Sequence, residues 1–597
     1  MRFSVAVFFA AAAMSGNAAA QIDDLQASYD FLVNERAADG ALLKFSISGG
    51  TYLLPSSYYD TAAYWGAYVC AGSKDTCGID DAYNILDYQF SPAPSAAGKL
   101  QVERVNTHNG ANIYDAATWQ IAVMLGYVKN KLRLPSPTSA YALASGLSTF
   151  LRESGVPSEM NTAPGTRRAA TTGGTFIYNG KVLSSSRAYS FRALAPEWLA
   201  RDPLMGSQYA AFVTASNLPA LNAAYEVGRV SWSDWKPITG ENAWAFLIGP
   251  LQAAHIHYID FLKDRFIPFD APAVQNALDV LPTFAAMQSA VGGVYYAPTG
   301  TVGNDGDAVV NPHEISVENN FSLYAGLRLL RATLRAEQAN EVWLDTDRKK
   351  KISDALQLVD VMISGGRLDT DRQTRGLLSF FKNEAWRDGA FVQGGLANDP
   401  KQGREWVLAT SPLAVDVQTW GIAALGAQQI DQWFGTGASF ALWQKTKNWG
   451  AYGTERTLWG VGYSDKDGNG ADQSGAFRQG VLSGEWTAGA INAVRNMIRF
   501  YGADPKYTTA LRQDEAAMVK AIGTLRIDRY ASTDFPGKAA GYGNLISLKT
   551  KPYLYASRRY RIPFGWYANP LPSTASTAWM LMIANAYDPF GIGGTPN

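Results

Sequence analysis

Apolar and small residues recur with a helical period along most of this 597-residue chain. Strand-like alternation is scarce and local, as in GGVYYAPTG at 292–300. Two kinds of helix are predicted. One is amphipathic, as in LRATLRAEQANEVW at 330–343 and DEAAMVKAIGTLRI at 514–527. The other is apolar or small on every face, the pattern of a helix packed all round rather than half-solvated. Helices of the second kind share a style of start. IYDAATWQIAVMLG, TGENAWAFLIGPLQAA, SVENNFSLYAGLRLL, VDVQTWGIAALG and SGEWTAGAINAV each place an acid and an aromatic ahead of a run rich in Ala, Gly and Leu. YYDTAAYWGAYV, with Asp60 and Trp65, follows the same style, and STASTAWMLMIANAY keeps Trp579 but has Ser576 where an acid would stand.

The pattern predicts an all-α chain built as an α/α toroid, an inner ring of packed helices inside an outer ring of amphipathic ones, with an extra helical pair allowed and a few short hairpins in the loops. Repeating units of this kind extend one compact body past the usual domain size. Taken singly, each acid reads as a helix cap, because a carboxylate at a helix start accepts orphan amide hydrogens at the positive end of the dipole. Taken together the acids mean more. If the inner helices run the same way, six entry acids, Asp60, Asp115, Glu241, Glu318, Asp416 and Glu485, converge at one mouth.

No Pro- or Ser-rich stretch (91–99, 134–139, 162–174) is followed by a shift in composition. Residues 21–597 therefore read as a single catalytic domain. The first twenty read as a signal peptide, with Arg2, a short apolar run, and Ala18 and Ala20 before the expected cleavage point. That places the mature chain outside the cytoplasm, secreted or periplasmic. Cys70 and Cys77, the two cysteines, are expected to pair as a disulfide there.

Lys plus Arg equals Asp plus Glu, 52 each. A balanced chain offers no field for nucleic acid or an anionic membrane surface. No stretch beyond the leader has the apolar length of a membrane span. The 17 Trp and 30 Tyr suit either sugar-ring stacking or a large aromatic core. Oligomeric state is left open.

TGENAWAFLIGPLQ, VENNFSLYAGLRLL, VDVQTWGIAALG and STAWMLMIANAYDPF resemble segments of the (α/α)6-barrel glycoside hydrolases. Within that class the chain is similar to the fungal-type endo-β-1,2-glucanases, in which a Glu is followed much later by an Asp. The resemblance implies Glu241 as catalytic acid, Asp416 as base, and an inverting mechanism on a neutral glucan such as β-1,2-glucan.

Glycoside hydrolysis needs one carboxylic acid and one carboxylate. Glu318, Asp115 and Glu485 are the alternative catalytic candidates. Trp119, Trp244 and Trp420, at the helix starts, are candidate sugar contacts. So are Asn319 beside Glu318, His108 in NTHNGANIYD, and Arg559, Tyr560 and Trp566 in ASRRYRIPFGWY. No cofactor is required. A weak calcium candidate lies in YSDKDGNGADQSG, where Asp465, Asp467 and Asn469 alternate as ligands should but Ala476 stands at the twelfth position. Two other functions compete: a polysaccharide lyase on the same toroid, drafting His108, His313, Asn109, Tyr560 and the 558–561 arginines, and a non-catalytic carbohydrate-binding envelope protein.

Overall fold

The computed structural model describes residues 25–47, 50–59, 110–135, 139–153, 238–297, 311–339, 345–530 (save 455 and 479) and 548–597 (save 559, 565 and 569), with three short strands at Thr175–Tyr178, Lys181–Ser184 and Arg192–Leu194. The signal-peptide residues, Asp60, Trp65, Cys70, Cys77, His108 and Arg559 lie outside the described residues.

Twelve helices carry the architecture. Helix α1 spans residues 25–33, α2 Ile113–Val128 and α3 Gly146–Glu153. Helix α4 is continuous but changes pitch, running through Thr239–Ala243, Trp244–Ile248, Gly249–His255 and Ile256–Phe261, of which the second and fourth segments are π-type. Next come α5 (Pro272–Ala286), α6 (Val317–Gln338), α7 (Thr346–Ser364) and α8 (Val415–Leu425). The last four are α9 (Ala438–Gly450), α10 (Gly484–Tyr501), α11 (Pro505–Thr524) and α12 (Thr574–Ala584).

The even-numbered helices form the inner ring. Each packs on the next in the order α2, α4, α6, α8, α10, α12, and α12 returns to α2 to close the circle. The odd-numbered helices lie outside. Helices α3, α5, α7, α9 and α11 rest on α2, α4, α6, α8 and α10 respectively. Helix α1 is tied to α2 by Tyr29 Oη donating to the Val123 carbonyl at 2.9 Å and Trp119 Nε1 donating to that of Leu32 at 2.7 Å. This is the (α/α)6 toroid, with six pairs and no seventh among the described residues.

The all-round burial read from the sequence is what closes the ring. All eleven residues of α8 are buried. Small residues let neighbouring helices approach closely: a Cβ on Gly249 would lie 2.7 Å from the Ala117 carbonyl oxygen. One sequence assignment is corrected. Most of LRATLRAEQANEVW is the far half of inner helix α6, not an outer helix. Its polar residues are at the end of the ring away from the helix starts, where an inner helix emerges into solvent. DEAAMVKAIGTLRI does lie largely in outer helix α11.

Short extended segments lead into the ring helices. Gly110–Asn112 pairs with Arg192–Leu194 before α2, and Glu314–Ser316 pairs with Gly394–Ala397 before α6. Pro572–Ser573 pairs with Tyr553–Leu554 before α12. Single bridges, Ala414 to Ser464 and Ser483 to Ala556, precede α8 and α10. These pairings fix where each inner helix begins. No described helix is long and apolar enough to cross a membrane.

Candidate active site

The caps of the inner helices are not the acids. Asn112, Ser316, Ser483 and Ser573 cap α2, α6, α10 and α12 through their side chains, while Ile238 and Ala414 precede α4 and α8 without a side-chain cap. Each acid sits two or three residues further in, within the first turn. Capping therefore does not account for them, although the helix dipole still favours a negative charge there. Asp416 is closest to an ordinary role, accepting the Val417 amide at 2.7 Å.

All five acids, Asp115, Glu241, Glu318, Asp416 and Glu485, line one cavity of about 180 Å3 at the mouth of the ring. The inner helices thus run the same way. Aromatic and small polar groups complete the wall: Tyr114, Trp244, Trp420 and Trp486 from the helices, and Ser57, Tyr58, Tyr296 and Tyr555 from the connecting segments. Among the described residues, no Lys, Arg or His lines it.

Below the cavity the axis of the ring is filled by rings. Trp244 lies edge-on to Tyr114 at 5.2 Å and tilted to Trp420 at 5.7 Å. Trp579 and Phe590 close the plug, with Trp420 and Phe590 at 5.2 Å. Trp244 and Trp420 are only 1% and 4% exposed. They make a floor rather than a free stacking platform. The first π segment of α4 begins at Trp244, and such bulges recur at functional sites.

Burial shifts the acids. It raises Glu318 to about 7 against the pull of the Ser322 hydroxyl, and Glu485 to about 8, where Asp115 and Glu318 add repulsion while the Tyr114 hydrogen bond opposes it. Asp416 is pushed well above the usual carboxylate range, first by burial and then by the charge of Glu318. Each carboxyl is held by neutral donors. Glu318 accepts from Asn319 Nδ2 at 2.7 Å and Ser322 Oγ at 3.0 Å, and Glu485 accepts from the Tyr114 hydroxyl.

Several expected sugar contacts lie elsewhere. Trp119 is fully buried between α2 and α1, its N–H bonded to Leu32. Asn319 ties helix starts together, accepting the Gly240 amide at 2.6 Å and donating to Ser316 at 2.9 Å. Tyr560 is 4% exposed, bonded to Asp467, and outside the cavity lining. The backbone of Trp566 pairs with Ile562 in a hairpin. His313 contacts the Ala397 carbonyl at 3.1 Å, away from the cavity.

The calcium candidate is corrected. Asp467 accepts from Ser464 Oγ at 2.7 Å, from the Ser464 amide at 2.9 Å and from the Tyr463 amide. Asn469 bridges Val481 and Gly450, and Asp465 accepts the Leu413 amide and pairs with Lys466. The oxygens a cation would need are engaged by the protein's own donors, so the loop is a hydrogen-bonded turn. No group of three His, Cys, Asp or Glu suited to a metal ion occurs among the described residues.

Sequence reasoning missed Tyr58, Tyr114, Tyr296, Tyr555 and Trp486 as lining residues. Tyr114 and Trp486 were within reach, since each is next to an acid already singled out. Tyr58, Tyr296 and Tyr555 are brought in by segments whose approach to the mouth no local pattern encodes.

No family model matches the sequence, and no curated protein is similar enough to place it. Several solved structures overlap it weakly, among them the following two. A sugar epimerase from a ruminal bacterium is 9% identical over 84% of this chain and 92% of its own, with a TM-score of 0.35. Cellobiose 2-epimerase from Bacillus thermoamylovorans B4167 is 10% identical over 74% of this chain and 95% of its own, with a TM-score of 0.24. Likeness at this level carries no argument about function, which rests on the cavity itself.

Proposed function

We propose that the chain is an extracytoplasmic glycoside hydrolase that cleaves an uncharged glycan, such as β-1,2-glucan, with inversion. The observation that carries this reading is the convergence of five first-turn acids on one aromatic-floored cavity. A lining with five acids, and with no cation among the described residues, disfavours uronate polymers, so a lyase is less well supported than a hydrolase. Burial of Asp416 and Glu485 also exceeds what a surface binding groove needs, which favours catalysis over binding alone.

The roles expected from the sequence are exchanged in this reading. Asp416, held protonated by burial and by Glu318, is the acid. It donates its proton to the glycosidic oxygen as the bond to the anomeric carbon breaks. Glu241, partly buried at the mouth, is the base. It takes a proton from the water that attacks the opposite face of that carbon. Their helices are next-but-one in the ring, with α6 between. Packed helix axes lie about 8–10 Å apart. Inversion requires the two carboxyl groups to stand about 6.5–9.5 Å apart with a water between them.

Purified protein offered a panel of neutral glucans is expected to release reducing ends of inverted configuration, read by proton NMR. Glu241→Gln and Asp416→Asn are each expected to lower kcat about 10²–10⁴-fold while KM changes little. Full turnover in either variant, or products with the near-ultraviolet absorbance of an unsaturated ring, would refute the assignment.

A further inference from the structure

Glu485 belongs to the cavity but has no part in the two-carboxylate scheme. It does not stand alone. The indole N–H of Trp579, on α12, donates to the Tyr114 hydroxyl at 3.0 Å, and that hydroxyl donates to Glu485 Oε1. Three ring helices (α12, α2 and α10) are thus linked by one buried relay that ends on a carboxylate. The tyrosine ring is wedged edge-on against Trp244 at 5.2 Å, so the hydroxyl has little freedom to swing away. Trp579 is fully buried and Glu485 is 5% exposed. A phenol held at both ends in this way orients its acceptor more firmly than water would.

The charged and titratable groups around Glu485 come from every side. Asp115 and Tyr114 face it from α2, Glu318 from α6, and Tyr463 from the segment preceding α10. Asp416, on the adjoining ring helix α8, feels its charge directly. Among the described residues no cation lines this cavity. Glu485, raised to about 8, carries its charge in alkaline solution, and there that charge acts on Asp416 with no cation of the described residues lining the space they share.

We propose that Tyr114 is a positioning residue of this site: anchored by Trp579, it fixes Glu485 so that Glu485, once ionised in alkaline solution, holds the proton on Asp416. The proposal rests on the hydrolase reading for its consequence in turnover, while the relay itself is testable without it. Removing the charge of Glu485 weakens the hold of Asp416 on its proton. Removing the Tyr114 hydroxyl withdraws a donor from ionised Glu485, so Glu485 keeps its own proton to higher pH and presents less charge to Asp416. Both changes move loss of the Asp416 proton to lower pH.

The test compares wild type, Tyr114→Phe, Trp579→Phe, Glu485→Gln and the Tyr114→Phe/Glu485→Gln double variant. The alkaline limb of the kcat/KM profile is expected to fall by about 0.5–1 pH unit in Glu485→Gln and by less in Tyr114→Phe. The double variant should match Glu485→Gln alone, because Tyr114 acts through Glu485. An unchanged limb in Tyr114→Phe, or a Tyr114→Phe shift that persists without Glu485, overturns the proposal. Infrared difference spectra supply the second readout. The protonated carboxyl band lost in Glu485→Gln should titrate at higher pH in Tyr114→Phe, and an unmoved midpoint overturns the relay. If no glycan is turned over by any form, the hydrolase reading fails while the infrared titration still decides the relay.

Discussion

Glu318 shows what a buried carboxyl does to the stability of this protein. Burial raises it to about 7, whereas an unfolded chain titrates near the ordinary value of 4.5. Between those two values the unfolded chain has released its proton and the folded chain has not. Stability is therefore fully present below about pH 4.5, is lost as pH rises towards 7, and levels off above. Glu318→Gln removes that penalty. The variant should be more stable than wild type at about pH 8, by an amount on the order of 1–3 kcal/mol, and no more stable at about pH 4. Chemical denaturation at the two pH values measures this. An equal change at both would mean that the gain comes from packing and not from the proton. The same logic extends to Glu485, raised to about 8: these buried acids weaken the fold at neutral pH, so stability does not account for their presence.

Glycines set the spacing of the ring helices. Gly249 in α4 lies against Ala117 of α2, where a Cβ would come within 2.8 Å of that residue's Cα. The obstacle is backbone, so no rotamer change relieves it. Gly249→Ala should destabilise by about 1–3 kcal/mol, read as a lower midpoint in denaturant with an unchanged slope. A neutral result would show that α2 and α4 can separate without cost. Gly489 in α10 makes a similar approach, its missing Cβ falling 2.7 Å from Trp420 Nε1. These contacts explain why the inner segments read as Ala- and Gly-rich, and why the pattern at their starts was legible. The π-type turns in α4 were not legible, because they answer to neighbours on α2 and α6 and not to local propensity.

The ring as a whole is sealed at the end opposite the cavity. Asn597 donates from Nδ2 to the Ala423 carbonyl of α8 at 2.7 Å and accepts from Arg328 of α6 at 2.6 Å. Its backbone oxygen accepts from Asn496 of α10 at 2.8 Å. One residue thereby joins three inner helices beneath the aromatic plug. Asn597→Ala should lower stability by about 1–3 kcal/mol while unfolding remains a single transition. A separate early transition confined to α6, α8 and α10 would show that these helices unfold apart from the rest of the ring.

Helical periodicity, the all-round burial of the inner helices and the acids at their starts were written in the order of residues, because each depends on neighbours within a turn or two. From them came the toroid and a set of entry acids of which five line one cavity, the sixth, Asp60, lying outside the described residues. The identity of the caps was equally local, yet the serines and Asn112 were overshadowed by the carboxylates beside them. Which aromatics meet the cavity was settled only by tertiary structure. Trp119 and Trp244 occupy similar places in their sequences, but the first turns outward to α1 and the second inward to the axis. The difference is rotation of each helix about its own axis, and that is set by ring closure. The protonation of the acids was likewise beyond local reading, because it comes from helices far apart in the chain being drawn around one small, dry space.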